Sequence, residues 1–206
     1  WYVLAAAAAA ALVSLVLARG AAGCVWTSGF CSAGMEIVLV FLFQIHAGYV
    51  YNGYALLLTL FMAGLAAGSF AANSMLTRAG TGRRSVLGLL DICLCVLLCG
   101  VAAACGADIV WRSRLVLCAV AFMVAFLTGA QFPAAAQARA GTAGAVSGAL
   151  YSADFAGAAA GSLLVVLLLV PRLGVTGTLL VFAGLKLFSL LRLVAGANAY
   201  SVKILQ

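Results

Sequence analysis

Long apolar stretches alternate with short polar segments along the whole chain. Each stretch has about the 20 residues that a helix needs to cross a hydrocarbon core roughly 30 Å thick. Because lipid offers no partners to backbone N–H and C=O groups, such stretches cross as helices. The pattern predicts an all-α, polytopic membrane bundle of about seven transmembrane helices, forming a single domain over residues 1–206. The predicted spans are 2–18, 25–47, 51–75, 85–105, 114–137, 146–170 and 174–194.

The composition supports a membrane protein and argues against binding to nucleic acid. Hydrophobic residues make up 67% of the chain and charged residues only 7%, with a mean hydropathy of +1.26. A net charge of +7 by itself would suit nucleic acid, but the basic residues lie mostly at span ends and form no run interleaved with aromatic residues. We therefore expect the lipid bilayer as the main partner and no nucleic acid.

The basic residues also predict an orientation. One set of loops and ends carries seven of them, and the opposite set carries three. The larger set is Arg19, Arg78, Arg83, Arg84, Arg139, Arg192 and Lys203, and the smaller is Arg112, Arg114 and Arg172. Positive charge is retained in the cytoplasm, so we predict a multi-pass protein of the inner (cytoplasmic) membrane with its N-terminus outside and its C-terminus in the cytoplasm. Tyr49, Tyr51 and Tyr54 would anchor the outer surface.

A glycine-rich motif in the third span recurs in the sixth. Gly64 and Gly68 lie in the sequence GLAAGS, and Gly157 and Gly161 lie in GAAAGS, 93 residues later. Three predicted crossings separate the copies, so spans two to four and five to seven would form an inverted repeat of three helices. Chance is the alternative, since Gly and Ala are frequent in this chain. Small residues four apart allow helix backbones to approach closely, so all four glycines are predicted helix-packing positions.

Several segments together resemble a known family. They are 28–36, 54–69, 128–133, 148–161 and 170–174. In order and spacing they are similar to the membrane part of the fused spermidine synthase-like proteins, in which a major-facilitator-like membrane domain is joined to a cytoplasmic aminopropyltransferase domain. The resemblance covers about residues 25–190 and implies that family's membrane fold.

Two departures from the family limit what the resemblance implies. Gln44 and His46 stand where the family would have an Arg after the glutamate of the second span. The sequence also has no strand followed by a Gly-rich turn and an acidic residue, which an aminopropyltransferase site would need. We therefore expect no enzymatic activity from this chain. If the natural protein has a soluble domain, we expect that domain beyond Gln206.

Ionisable residues inside the spans are the main functional candidates, because charge within lipid is costly. The candidates are Glu36, Asp154 and Lys186. In the favoured interpretation Lys186 neutralises Glu36 or Asp154 in a structural pair, with Glu36 as the preferred partner. In the alternative, the two carboxylates mark a route for protons or cations. Asp91, near the inner end of the fourth span, is expected to reach interfacial water.

Cofactor chemistry has little support in the sequence. His46 is the only histidine and cannot supply the two axial ligands of a membrane haem. The seven cysteines form no CxxC pattern, so neither a metal site nor any cofactor is expected. His46, Tyr49 and Tyr51 are candidates for contact with a quinone. A simpler interpretation is that His46 is an interfacial side chain.

Three functional hypotheses follow from these patterns. The favoured one is a non-catalytic membrane module or subunit that docks other protein subunits, or a soluble domain absent from this sequence, through its Gly/Ala helix faces. The second is a transporter-like carrier of a small solute or cation. The third is a quinone-proximal subunit of a respiratory complex.

Overall fold

The computed structural model describes residues 15–16, 18, 20–47, 50–79, 83–105 and 113–204. These parts are helical apart from short connections and contain no strand. The helices are α1 (Ala21–Ala47), α2 (Val50–Ala79), α3 (Arg83–Ala104), α4 (Arg114–Ala138), α5 (Ala143–Leu164) and α6 (Val170–Ile204), with a π-helical segment, Val165–Leu169, between the last two.

Five helical segments in the described residues are long and apolar enough to cross a membrane. They are Ala21–His46, Gly53–Thr77, Ser85–Ala104, Arg114–Ala138 and Ala143–Ala195. The prediction of an all-helical chain with several helices long and apolar enough to span a membrane is confirmed at this level. The predicted span 2–18 lies almost entirely outside the described residues.

The last of these segments, 53 residues long, changes direction at Gly174. This residue has φ 68° and ψ −174°, a backbone conformation that glycine adopts far more readily than other residues. Beyond it, α6 runs antiparallel to α1. Lys186 of α6 contacts Ser28 of α1. Phe182, about one turn before Lys186, contacts Cys31, which lies about one turn after Ser28.

Helix α5, before the turn, runs parallel to α1. Gly157 lies against Trp26, and Gly161 lies against Phe30, so the contacts advance in the same direction along both helices. Helices α5 and α6 are therefore antiparallel to each other. The predicted sixth and seventh spans correspond to these two helices.

A widened helical turn precedes the reversal at Gly174, which lies in the first part of α6. The Val170 amide donates to the Val165 carbonyl, five residues earlier. Pro171 follows and has no amide hydrogen to continue the helical ladder. The regular α-helix is thus interrupted just before the reversal at Gly174.

Helix α1 is the centre of the bundle. It contacts α2, α4, α5 and α6, and every residue from Ala22 to Ser32 is buried. Its residues are small or apolar on all sides, as expected for a helix that is surrounded by others. Peripheral helices instead expose large apolar side chains, such as Phe70, Met75 and Val96. An exposed apolar surface of this kind suits contact with lipid.

Candidate functional site: a polar cavity beside a buried ion pair

An ion pair lies in the interior of the bundle. The Lys186 ammonium on α6 is 2.8 Å from the Asp91 carboxylate on α3, and neither side chain exposes any surface. The predicted pairing of Lys186 with Glu36 or Asp154 is therefore wrong. The expectation that Asp91 reaches interfacial water is also wrong.

Helix rotation explains both errors. Depth along a span can be counted from the sequence, but the direction in which a side chain points depends on how the helix is turned toward its neighbours. Helix α3 packs directly on α6 and turns Asp91 inward, whereas Glu36 on α1 stays half-buried and forms no ion pair with the residues that the structure describes.

Two further helices complete the hydrogen bonds of the ion pair. Lys186 Nζ donates to Ser28 Oγ on α1 at 2.6 Å and to Gln131 Oε1 on α4 at 3.1 Å. The Gln131 amide donates to Asp91 Oδ1 at 3.3 Å, and Ser28 donates to Gln131 Oε1. With Asp91, these acceptors engage all three donors of the ammonium. Four helices thus share one polar network.

Two buried polar atoms near this network have no hydrogen-bond partner among the described residues. They are Asp91 Oδ2 and the hydroxyl oxygen of Ser189, which lies one turn beyond Lys186 on α6. Buried polar atoms in folded proteins are normally paired. This side of the ion pair is therefore less fully satisfied than the side that faces Ser28 and Gln131.

A cavity of about 210 Å³ lies against the same network, between α1, α2, α4 and α5. Its lining residues are Val25, Ser28, Leu65, Ser69, Thr128, Gly129, Gln131, Phe132, Tyr151 and Asp154. Ser28 and Gln131 belong to both the cavity wall and the hydrogen bonds of Lys186. Anything that binds in the cavity would therefore contact two direct partners of the ion pair.

Asp154 supplies the one carboxyl group among the described residues that line the cavity. The side chain projects from α5 toward α1, where Gly29 leaves room for it: a Cβ atom at Gly29 would lie 2.7 Å from Asp154 Oδ1. The carboxylate accepts no hydrogen bond and forms no ion pair within the described part of the chain. Of the predicted charge candidates, Asp154 and Lys186 thus lie in one region, because Ser28 and Gln131 line the cavity with Asp154 and also bond to Lys186.

Aromatic rings form another part of the cavity wall. The rings of Phe132 on α4 and Tyr151 on α5 have their centroids 4.6 Å apart. Pro133, inside α4, cannot donate to the carbonyl of Gly129 because it has no amide hydrogen. Gly129 itself lines the cavity. This part of α4 therefore combines an aromatic surface with an interrupted backbone ladder.

The four predicted helix-packing glycines lie at close contacts between backbones. A Cβ atom on Gly64 would lie 2.6 Å from the Phe122 carbonyl oxygen, and one on Gly68 would collide with the Phe126 carbonyl. Gly157 and Gly161 meet the carbonyls of Trp26 and Phe30 in the same way. Helix α2 therefore packs backbone to backbone on α4, and α5 packs on α1.

The remaining candidates lie away from the cavity or outside the described residues. Half-buried His46 lies near the C-terminal end of α1, with Nδ1 3.0 Å from the Leu42 carbonyl of its own helix. Tyr54 is exposed at the start of α2. Tyr49 and the side chain of Tyr51 lie outside the described residues, so the quinone hypothesis stays a prediction.

No group of three or more His, Cys, Asp or Glu side chains is placed to hold a metal in the described ranges. Comparison of the chain with family models, curated proteins and solved structures found no match. The resemblance to spermidine synthase-like membrane domains stays a prediction.

Sequence reasoning missed three members of the polar network: Ser28, Asp91 and Gln131. Gln131 carried a usable signal, since a primary amide in an apolar span must find a partner inside the bundle. Ser28 carried none, because serine in a span commonly bonds to its own helix, and the Cys24 carbonyl lies within reach of the Ser28 hydroxyl at 2.8 Å.

Proposed function

We propose that this chain is a carrier of a small solute and that the cavity between α1, α2, α4 and α5 is its binding site. The observation that carries the proposal is the wall shared by the cavity and the ion pair: Ser28 and Gln131 line the first and bond to Lys186 of the second. Intramembrane ionisable groups that face a cavity commonly mark solute or ion routes in membrane proteins.

The cavity size limits the class of solute. Pockets for drug-sized ligands typically have volumes of roughly 300–1,000 Å³, and this cavity has about 210 Å³. The bound solute would therefore be a small molecule or ion.

An inverted repeat would give such a carrier its two-sided architecture, and we infer that α1–α3 and α4–α6 are its two copies. In this relation α1 corresponds to α4, α2 to α5 and α3 to α6. The contact of α2 with α4 then corresponds to the contact of α5 with α1. The glycine contacts follow the same correspondence: Gly64 meets Phe122 of α4, and Gly157 meets Trp26 of α1. Both contacts are between parallel helices, in agreement with this relation.

Accessibility of the cavity from the two sides of the membrane tests the carrier proposal. A cysteine is placed at Ser69, on the cavity wall, in a variant that lacks the native cysteines, and it is treated with a membrane-impermeant maleimide in oriented vesicles. A carrier opens to each side in turn, so Ser69→Cys should react from both sides. Reaction from one side alone, or from neither, would favour a static docking module and overturn the proposal.

Two exposed positions near opposite ends of the bundle control for vesicle orientation. Gln44, near the end of α1, and Ala140, in the connection between α4 and α5, are both exposed. Gln44→Cys should react only from outside and Ala140→Cys only from the cytoplasmic side, as the positive-inside bias predicts. The opposite pattern would reverse the proposed orientation without affecting the carrier proposal.

The docking-module hypothesis favoured by the sequence stays a prediction. The glycines on which it relied are occupied by contacts within the bundle, since Gly64, Gly68, Gly157 and Gly161 all meet neighbouring helices of the same chain. A docking surface would have to be built from other residues.

A further inference from the structure

We propose that the cavity selects a small organic cation with an ammonium group, bound by the Asp154 carboxylate and by the rings of Phe132 and Tyr151. The proposal rests on the carrier function inferred above and adds the chemical class of the solute. Two features of the cavity lead to it: its carboxyl group and its aromatic wall.

The cavity lining carries one acidic group, and its ionised form would make the cavity negative. Asp154 is the one charged residue in the lining that the structure describes. Lys186 lies behind the wall, but its charge is balanced by Asp91 at 2.8 Å, and its three donors are engaged. An ionised carboxylate without a partner is costly inside a membrane protein, so a bound cation would supply the missing counter-ion.

The aromatic wall suits the carbon groups of an organic cation. Phe132 and Tyr151 lie next to each other in the lining, and Phe155 continues the row with its centroid 6.2 Å from that of Tyr151. Aromatic faces attract cations and are the usual recognition surface for methylated ammonium groups. A bare metal ion would gain little from such a wall.

Hydrogen bonds occupy part of the polar lining. The hydroxyl of Ser28 donates to Gln131, and the hydroxyl of Thr128 donates to the Val124 carbonyl at 2.9 Å. The Gln131 amide donates to Asp91. The Asp154 carboxyl oxygens remain available as acceptors for a ligand that donates hydrogen bonds or carries positive charge.

Thermal unfolding of the purified full chain in mild detergent tests the proposal. The unfolding midpoint is followed during titration with methylammonium chloride and with tetramethylammonium chloride, and with sodium chloride and sodium acetate at matched ionic strength. A ligand that binds the folded state raises the midpoint in a saturable way. We expect saturation with the two organic cations and none with the sodium salts.

Replacement of the carboxylate locates the binding site. Asp154→Asn should weaken the apparent affinity for methylammonium by about tenfold or more, the loss expected when a hydrogen bond to a charged group is removed. Glu36→Gln is the matched control, because it removes the other carboxylate candidate of the spans, which lies outside the cavity lining. Its affinity should equal that of the unmodified chain. Equal affinity in Asp154→Asn would overturn the proposal.

A second variant serves if Asp154→Asn is not recovered folded. Tyr151 is about half exposed (51%), so Tyr151→Leu should leave the bundle intact. We expect it to reduce the affinity for tetramethylammonium more than that for methylammonium, because only the larger ion covers the ring with methyl groups. An unchanged affinity for both ions would overturn the proposal.

The outcomes separate this proposal from the carrier function. Saturable stabilisation by acetate but not by the organic cations would overturn the cation class and leave the carrier proposal standing. Binding of the organic cations together with labelling of Ser69→Cys from one side only would support the ammonium site and overturn transport.

Discussion

Two kinds of helix contact hold this bundle together, and they depend on opposite properties of the sequence. Where α2 meets α4 and α5 meets α1, glycines such as Gly68 and Gly157 bring the backbones together. Where α3 meets α6, the ion pair of Asp91 and Lys186 is buried completely. The first contacts require that side-chain atoms be absent, and the second requires two particular side chains to be present.

The difference shows how each contact would respond to change. A glycine contact fails when any larger side chain is added, because the neighbouring carbonyl cannot move away easily. The ion pair fails when one partner alone is removed, since the other is then left charged and buried. Small residues therefore control the approach of the helices, and the polar network controls which face of each helix is turned inward.

The largest expected effect comes from removing one member of the ion pair. Lys186→Met leaves Asp91 buried without its counter-ion and should cost about 3–5 kcal/mol of unfolding free energy. Removing both charges, in Lys186→Met with Asp91→Leu, should cost less than the sum of the single changes. Equilibrium unfolding in detergent measures the coupling by a double-mutant cycle.

A second cycle supplies the control for that measurement. Lys186→Met combined with Glu36→Gln should give additive losses, because residues without a shared contact rarely couple. Coupling of Lys186 to Glu36 and none to Asp91 would contradict the observed pairing.

An intermediate effect is expected from filling a glycine contact. Gly157→Leu places a side chain against the Trp26 carbonyl and should cost about 1–3 kcal/mol, the usual range for overpacking. Gly148 on the same helix, with nothing within 4 Å of an added Cβ atom, gives the matched control. Gly148→Leu should cost no more than about 0.5 kcal/mol of unfolding free energy, because Leu also favours the helix more than Gly does. Equal losses in the two variants would show that the close approach at Gly157 does not set the effect.

The smallest effect is expected from the hydrogen bonds around the ion pair. Ser28→Ala removes one acceptor of Lys186 but leaves Asp91 and Gln131 in place, so the loss should be about 1 kcal/mol. Thr27→Ala is the neighbouring control, since its hydroxyl bonds only to the Cys24 carbonyl of its own helix. A loss at Ser28 no greater than that at Thr27 would mean that this bond adds nothing to the stability of the network.

The sequence by itself determined the helices and the places where they touch closely. Apolar length predicts a span because lipid forces backbone groups to pair within the segment. Pro171 and Gly174 mark the reversal near the start of α6 because their backbone properties are local. The glycine pairs could be assigned to helix contacts for the same reason, because the absence of a Cβ atom is a property of glycine itself.

Only the tertiary structure decided which polar groups meet. Ser28, Asp91, Gln131 and Lys186 come from four helices far apart in the chain. Their meeting depends on the rotation of each helix about its axis and on the order in which the helices pack. An apolar span has similar side chains on every face, so its sequence does not specify the rotation of the helix or its packing neighbours. Lys186 was therefore recognisable as a residue in need of a partner, but its pairing with Asp91 rather than Glu36 follows from the packing of α3 on α6.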